Sequence, residues 1–225
     1  MNEWLAWVII APAAYLIGSI PVGLIVCKMF GGVDPREHGS GSMGATNVLR
    51  TAGKKAAALV FALDLGKGAL VIALSLILAP ESFLLHGIAG TLVILGHTWP
   101  VFAGFKGGKG ISPGWAALVV LSPTAGVVTM IGLAIALLTR YVSLGSIIGA
   151  SLGILALIVI AIVDVPITDS FVLREPIEYL AFAIPTVVVI LFSHRENIAR
   201  LRKGTENRLD INAAEGPSTS SGQGA

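Results

Sequence analysis

Residues 39–50 read G-S-G-S-M-G-A-T-N-V-L-R, and this polar segment sets the organisation of the whole chain. It combines three glycines, two serines, a threonine, an asparagine and a final arginine in a sequence that is otherwise strongly apolar. Glycines let successive backbone N–H groups turn toward one point and form a concave anion seat. Hydroxyl groups and the arginine fork add directional donors that suit a phosphate. The same composition also suits a solvated loop between two membrane helices, so the segment alone leaves both interpretations open.

The rest of the 225-residue chain has the composition of a membrane protein. Hydrophobic residues make up 55% of it and charged residues only 12%, whereas soluble domains carry roughly 25% charged residues. Apolar runs recur that are close to the ~20 residues a helix needs to cross a bilayer. We therefore predict an all-α integral membrane protein. The single cysteine, Cys27, excludes an internal disulfide.

Five apolar segments predict membrane spans, and breaks within them are tolerated where neighbouring helices satisfy the freed backbone groups. They cover residues 4–26, 56–79, 83–102, 144–163 and 177–192. Pro12, Gly18 and Pro21 interrupt the first of them. Between the spans lie polar segments: residues 27–55, the glycine- and lysine-rich loop 104–110, the acidic connection 164–176 and the basic segment 194–208.

The number of crossings depends on residues 111–139, which are apolar but contain Ser122-Pro123. If they form a hairpin, every Lys and Arg except Arg174 and Lys67 lies on one side of the membrane. The positive-inside rule prefers this arrangement, although each arm is shorter than the ~20 residues of a full span. We predict seven transmembrane helices, with the N-terminus outside and the C-terminus cytoplasmic. Residues 1–208 would form the membrane domain, and residues 209–225 a disordered and dispensable tail.

Several common catalytic motifs are missing from the sequence. None of the four histidines has an aspartate five residues on, as in soluble-type glycerolipid acyltransferases, and no Gly-x-Ser-x-Gly elbow occurs. The scattered aspartates predict no metal site, which argues against a CDP-alcohol phosphotransferase. Gly39-x-Gly41-x-x-Gly44 follows no predicted strand, so its match to a dinucleotide fingerprint is spurious. We predict neither a metal nor a cofactor.

Three longer motifs resemble the signatures of the acyl-phosphate:glycerol-3-phosphate acyltransferases of the PlsY type. They are the segment 39–50, G-H-T-W-P-V-F-A-G-F-K-G-G-K-G at residues 96–110, and H-R-E-N-I-A-R-L-R-K-G-T-E at residues 194–206. G-S-I-P-V-G at residues 18–23 and D-L-G-K-G at residues 64–68 are also similar. One departure is Ser42, where the family usually has asparagine. The resemblance covers residues 5–208.

The resemblance implies transfer of a fatty acyl group from acyl phosphate to the 1-hydroxyl of sn-glycerol 3-phosphate. The products would be lysophosphatidate and phosphate, in the first committed step of bacterial phospholipid synthesis at the cytoplasmic (inner) membrane. The expected partners are these substrates, membrane lipid and the enzyme that makes acyl phosphate, with no nucleic acid involved. Because acyl phosphate is a mixed anhydride with a good leaving group, the chemistry requires neither a strong nucleophile nor a metal.

The resemblance and the residue chemistry together give four candidate catalytic residues. Ser40, with the amides of Gly39 to Gly44, would hold one phosphate and polarise the acyl carbonyl. Arg50 would bridge phosphates with its fork, and His194 and Asn197 would orient the hydroxyl. The proton acceptor stays open among His194, His97 and a substrate phosphate oxygen. The expected substrate-binding residues are Gly39, Gly41, Gly44, Thr46, Asn47, His97, Lys106, Gly107, Gly108, Lys109 and Gly110.

Other polar residues fit structural roles as well as functional ones. Asp64 and Lys67 lie one turn apart on a predicted helix and can pair, as can Glu196 and Arg200. His86 is expected to be structural. The alternative function is a secondary transporter of an anionic phosphorylated metabolite, which also uses broken helices. A non-catalytic scaffold would leave the three cation-bearing segments unexplained.

Overall fold

The computed structural model describes residues 2–163, 165–168, 171–173 and 175–209. Helices dominate this part of the chain. In order they are α1 (Glu3–Gly18), α2 (Val22–Phe30), α3 (Ala45–Leu78), α4 (Phe83–Thr98), α5 (Ile111–Leu121), α6 (Pro123–Val128), α7 (Met130–Thr139), α8 (Val142–Ile162), α9 (Leu180–Ser193) and α10 (Arg195–Arg202). Short 3-10 helices cover Pro35–Glu37, Val101–Ala103 and Ile177–Tyr179.

The first predicted span is broken into α1 and α2. The side chain of Asn2 caps α1 by accepting a hydrogen bond from the N–H of Trp4 at 3.1 Å. Pro12 lies inside α1 without ending it, whereas the break falls between Gly18 and Val22, next to Pro21. A proline removes a backbone donor and clashes with the preceding turn, so it favours a break where glycine has already weakened the helix.

Helix α3 begins earlier than the sequence predicts. It starts at Ala45 and bends at Gly53, whose φ of 83° lies in the left-handed region. The second span is expected at residues 56–79, and the helix beyond this bend corresponds to it. The turns before the bend carry Asn47 and Arg50, so the candidate residues at this end of the polar segment lie on a helix.

The predicted break within residues 111–139 is confirmed. Helix α5 ends at Leu121, and the Ser122 hydroxyl accepts from the N–H of Ala125 at 3.5 Å to start α6. By length and composition, four segments can cross a bilayer: Glu3–Phe30, Ala45–Leu78, Phe83–Ala103 and Val142–Ile162. The pair α9 and α10, bent by 54°, makes a fifth, whereas α5 and the α6–α7 segment are shorter.

One connection differs from an all-helical description. Val165–Thr168 (β1) and Phe171–Leu173 (β2) form an antiparallel hairpin within the expected acidic connection, with an irregular register between Pro166 and Thr168. Both strands contain β-branched residues, which favour extended backbone. Of the predicted tail at residues 209–225, the N–H of Leu209 donates to the carbonyl of Arg140 at 2.7 Å, and residues 210–225 lie outside the described residues.

Helix α4 is the centre of the packing. It lies against α1, α3, α5 and α9, and its Leu85 and Ile94 are almost fully buried with Ile72 and Phe182. Many large apolar side chains instead face outward, for example Leu138, which is 86% exposed. A soluble protein does not tolerate so much exposed apolar surface, whereas lipid does.

Candidate active site

Asn47, on the first turn of α3, organises the first polar segment. Its side-chain Oδ1 accepts from the N–H of Ser40 at 2.8 Å. Its Nδ2 donates to the carbonyls of Pro35 at 2.7 Å, Ser42 at 2.8 Å and His38 at 3.0 Å. Both amide hydrogens are therefore committed to the backbone, and the side chain is 2% exposed. Asn47 ties the loop to the helix, and its contact with substrate stays a prediction.

Most amides of the first loop bond within the protein, so they are not available for the predicted anion seat. Four of the N–H groups between Gly39 and Gly44 donate to acceptors within the protein: those of Ser40, Gly41, Met43 and Gly44. The acceptor for Gly44 is the hydroxyl of Ser42, at 3.2 Å. Ser42, the residue that departs from the family pattern, therefore stabilises the turn itself. Other donors here include the hydroxyl groups of Ser40 and Thr46 and the N–H groups of Ala45 and Thr46, which begin α3 and have no acceptor one turn earlier in the helix.

Direct contacts hold the first and second loops side by side. The N–H of Met43 donates to the carbonyl of Gly107 at 3.4 Å. Arg36 pairs with Asp34 at 2.6 Å and also donates to the carbonyl of Ala103 at 3.1 Å. Arg36 is the main reason that the pKa of Asp34 is lowered to about 2. The two glycine-rich loops therefore form one surface although about sixty residues separate them in sequence.

The second loop is packed onto the end of α4. The N–H of Gly108 donates to the carbonyl of His97 at 3.0 Å, and a methyl group at Gly107 or Gly108 would overlap His97. Gly110 has a φ of 78° and caps the start of α5. Lys109 turns inward from this loop, whereas Lys106 is exposed.

The third segment brings two buried polar side chains to the same place. His194 lies between α9 and α10 and is 3% exposed, and Asn197 is 4% exposed. The His194 Nδ1 lies 2.9 Å from the carbonyl of Ile190. Because a carbonyl can only accept, Nδ1 carries the proton and Nε2 is left as the ring's acceptor. The Oδ1 of Asn197 accepts a hydrogen bond from the Nζ of Lys109.

Glu206 is a site residue that the sequence analysis did not single out. Its side chain is 5% exposed and accepts from Ser143 at 2.9 Å, Asn197 at 2.7 Å and Arg200 at 2.8 Å. Burial disfavours its charge, but these hydrogen bonds outweigh burial, so the pKa of Glu206 lies below its usual value. The only signal in the sequence is an acidic residue closing a basic motif. The expected pair of Glu196 and Arg200 is long, at 4.0 Å, because Arg200 bonds Glu206 instead.

These side chains line one end of a cavity of about 510 Å³. Nine of the predicted site residues line it: Ser40, Gly44, Thr46, Asn47, Arg50, His97, Lys109, His194 and Asn197. Six lie outside its lining: Gly39, Gly41, Lys106, Gly107, Gly108 and Gly110. The cavity continues between α5, α7, α8 and α9, where apolar side chains such as Trp115, Leu118 and Ile154 line it.

The polar end of the cavity is electropositive. Arg50 and Lys109 line it, and Arg200 lies behind Glu206. Burial, reinforced by the charges of Arg200 and Arg50, lowers the pKa of Lys109 to about 8. Among the described residues, no group of three or more His, Cys, Asp or Glu side chains is arranged to hold a metal ion. The polar end is thus suited to an anion, and the apolar end to a hydrocarbon chain.

The remaining predictions concern buried residues nearby. The Asp64–Lys67 pair is confirmed, at 2.9 Å. His86 is fully buried with its Nε2 2.9 Å from the carbonyl of Ala79, which agrees with a structural role. Cys27 is a buried free thiol, whereas His38 is exposed and its Nδ1 lies 3.1 Å from the carbonyl of Asp34.

A helical membrane fold with a cavity that is cationic at one end and apolar at the other suits a membrane enzyme that joins a phosphorylated head group to an apolar chain. Comparison with known proteins agrees: the family model for glycerol-3-phosphate acyltransferase matches residues 8–204. This chain belongs to the glycerol-3-phosphate acyltransferase family. Its membership favours an enzyme over the transporter considered above.

Similar proteins cover nearly the whole chain. The glycerol-3-phosphate acyltransferase of Alkaliphilus metalliredigens is 39% identical over 88% of this chain and 93% of its own. A glycerol-3-phosphate acyltransferase of Thermus thermophilus is 39% identical over 87% of this chain and 92% of its own. The crystal structure of the integral membrane acyltransferase PlsY (YgiH) in its glycerol 3-phosphate form has a TM-score of 0.80 and 37% identity, covering 91% of this chain and 96% of that one. Its lysophosphatidic acid form has a TM-score of 0.77 at the same identity and coverage. The present chain is therefore a multi-pass membrane protein.

Proposed function

We propose that this protein transfers a fatty acyl group from acyl phosphate to the 1-hydroxyl of sn-glycerol 3-phosphate. The products are 1-acyl-glycerol 3-phosphate and inorganic phosphate. The observation that carries this proposal is the position of Arg50 and Lys109 at the polar end of a cavity whose other end is apolar. An acyl phosphate has this same division, with a charged head and a long hydrocarbon chain.

Arg50 and Lys109 together hold the phosphates of acyl phosphate and glycerol 3-phosphate close to each other. Arg50 bridges them with its planar fork, which can donate to two oxygens at once. Lys109, fixed by its hydrogen bond to Asn197, neutralises glycerol 3-phosphate. The hydroxyls of Ser40 and Thr46, at the start of α3, donate to the acyl phosphate and polarise its carbonyl.

The glycines of the second loop allow its backbone to pack closely against α4. Gly107 and Gly108 let the loop lie directly on His97, and Gly110 turns the chain into α5. This path sets where Lys109 enters the cavity. Lys106 is exposed beside it and raises the local concentration of anionic substrates. Gly39, Gly41 and Gly44 likewise shape the first loop.

The reaction needs an oriented hydroxyl and a good leaving group. The 1-hydroxyl oxygen attacks the acyl carbonyl carbon, and the bond between that carbon and the phosphate oxygen breaks to release phosphate. His194, through its Nε2, accepts a hydrogen bond from the hydroxyl, and Asn197 helps to hold it. The proton passes either to His194 or to a phosphate oxygen of a substrate. An altered pH–rate profile in His194→Ala would assign it to the histidine, and an unchanged profile to the phosphate.

The membrane topology forms part of the same proposal. We infer seven crossings, with α5 and the α6–α7 segment as two short spans and the N-terminus outside. The site would then face the cytoplasm at the inner membrane of a bacterium, where glycerol 3-phosphate and an enzyme that supplies acyl phosphate are available. The distribution of Lys and Arg supports this arrangement.

Purified protein tests the proposal directly. In detergent with palmitoyl phosphate and glycerol 3-phosphate, we expect phosphate release together with lysophosphatidate, detected by mass spectrometry. Omitting glycerol 3-phosphate controls for hydrolysis, and Arg50→Gln is expected to lose the activity. Palmitoyl-CoA should not replace palmitoyl phosphate. A protein that uses the thioester equally well, or forms no acylated product, would contradict the proposed reaction.

A further inference from the structure

A buried charged network borders the site, and the chemistry proposed above gives it no role, although its member His97 also lines the cavity. Asp64 and Lys67 of α3 form an ion pair at 2.9 Å, and the Nδ1 of His97 on α4 lies 3.5 Å from the same carboxylate oxygen. Their exposed fractions are only 2%, 6% and 6%. Burying charged groups costs free energy, so these residues are expected to have a role beyond packing.

His97 joins this network to the second loop. Its Nδ1 faces Asp64, while its Nε2 lies where a methyl group on Gly108 would be. Its carbonyl accepts from the N–H of Gly108 at 3.0 Å. The imidazole therefore lies between a buried carboxylate and the loop that carries Lys109. A ring whose Nε2 is covered by Gly108 is better placed to support the loop than to accept a proton from substrate.

Lys67 joins the same network to the first loop. Its Nζ donates to the carbonyl of Gly18 at 3.0 Å, where α1 ends, and to the carbonyl of Ile20 at 3.4 Å, which also accepts from the N–H of Val22 at 2.9 Å. Just beyond that break, Gly23 packs directly against the backbone of Met43. Met43 in turn donates to the second loop. One ion pair thus lies under the supports of both loops.

We propose that Asp64 is a positioning residue, which acts through His97 to hold the second loop and Lys109 where glycerol 3-phosphate binds. This inference rests on the proposed function. Replacing a buried ion pair by uncharged residues of similar size often costs a fold little stability. A carboxylate beside an imidazole, however, fixes the orientation of the ring, and that effect is lost on replacement. The prediction is therefore a defect in glycerol 3-phosphate binding that is separate from any loss of stability.

The test compares Asp64→Asn with the double variant Asp64→Asn/Lys67→Met. The single variant leaves Lys67 as an unpaired buried charge, whereas the double variant removes both charges. If the pair merely balanced charge, the double variant would recover wild-type kinetics. We expect instead that its melting temperature is near wild type while its KM for glycerol 3-phosphate is raised about tenfold, because small displacements of binding groups have large kinetic effects. The KM for acyl phosphate should rise much less, because the first loop keeps its own hydrogen bonds to Asn47.

Two further measurements keep the test decisive. His97→Gln leaves the ion pair intact and should raise the same KM, so it decides the question if the double variant does not fold. Ser75→Ala, a buried polar change on α3 away from the network, is the matched control. Titration calorimetry measures the affinity for glycerol 3-phosphate without turnover. The effect of each variant on binding can therefore be determined even if the proposed acyl transfer is not observed. A wild-type KM and affinity in either network variant would overturn the proposal.

Discussion

The Nζ of Lys109 donates a hydrogen bond to the Oδ1 of Asn197, which joins the second loop to helix α10 across 88 residues of sequence. Asn197 also donates to Glu206 at 2.7 Å, so the lysine is one end of a buried polar chain. A lysine held in this way has little freedom to move, and its charge faces a fixed point in the cavity. The position of the cation is thus set before any substrate binds.

The charge of Lys109 predicts a pH dependence of substrate binding. Since its pKa is lowered to about 8, it is charged below that pH and loses its proton as the pH rises through it. The phosphate of the substrate is already fully ionised there, because its second pKa is about 6. The KM for glycerol 3-phosphate should therefore rise above a pH of about 8. In Lys109→Arg the rise should move to higher pH, because arginine stays charged.

Removing the charge of Lys109 tests how much it contributes to catalytic efficiency. Lys109→Met is expected to lower kcat/KM about 100-fold, as loss of one partner of a buried charged contact commonly does. Lys55→Met, at an exposed lysine on α3, is the matched control and should stay close to wild type. Steady-state kinetics in detergent check both. Equal activity of the two variants would remove Lys109 from the site.

Gly108 offers a test of loop packing. Gly108→Ala places a methyl group against the His97 ring, which forces the loop to move and carries Lys109 with it. We expect the KM for glycerol 3-phosphate to rise more than kcat falls, and Gly107→Ala to behave in the same way. Gly66→Ala, where a methyl group meets nothing within 4 Å, is the control. An unchanged KM in both loop variants would show that the loop does not set the binding of this substrate.

Asn47 predicts a loss of stability together with a loss of activity. Asn47→Ala leaves buried backbone groups of the first loop without partners, at a cost of about 1–3 kcal/mol. The melting temperature in detergent should fall, and activity should fall further because Ser40 is no longer held. Ser42→Ala removes only the hydroxyl bond to Gly44 and should have a smaller effect on both. A larger effect at Ser42 than at Asn47 would contradict this ranking.

The lowered pKa of Glu206 predicts that the protein loses stability at acidic pH. Its pKa in the folded protein lies below the usual 4.5, so its stabilisation is complete above that value and is lost as the pH falls through the folded pKa. Melting temperatures measured from neutral to acidic pH should therefore fall more steeply for wild type than for Glu206→Gln. Parallel curves for the two proteins would mean that Glu206 does not stabilise the third segment.

The sequence predicts those features that depend on local composition. Glycines and cations in an apolar chain mark all three site segments, and a spacing of three residues suffices to pair Asp64 with Lys67. Partners distant in sequence are a different matter. The hydrogen bonds from Ser40 N–H to Asn47 and from Ser143 to Glu206 depend on how the segments pack. No local sequence pattern encodes them. The start of α3 is likewise not predicted, because Gly44 and Asn47 resemble loop residues.

The central claim is that the three cation-bearing segments meet on one side of the membrane. Single cysteines at Glu37, Lys106 and Lys203, all exposed positions, test it in a Cys27→Ala background. Labelling of intact cells with a membrane-impermeant maleimide should modify none of them, and labelling after permeabilisation should modify all three. If any one of the three reacts in intact cells while another does not, the segments lie on opposite faces and cannot form one site.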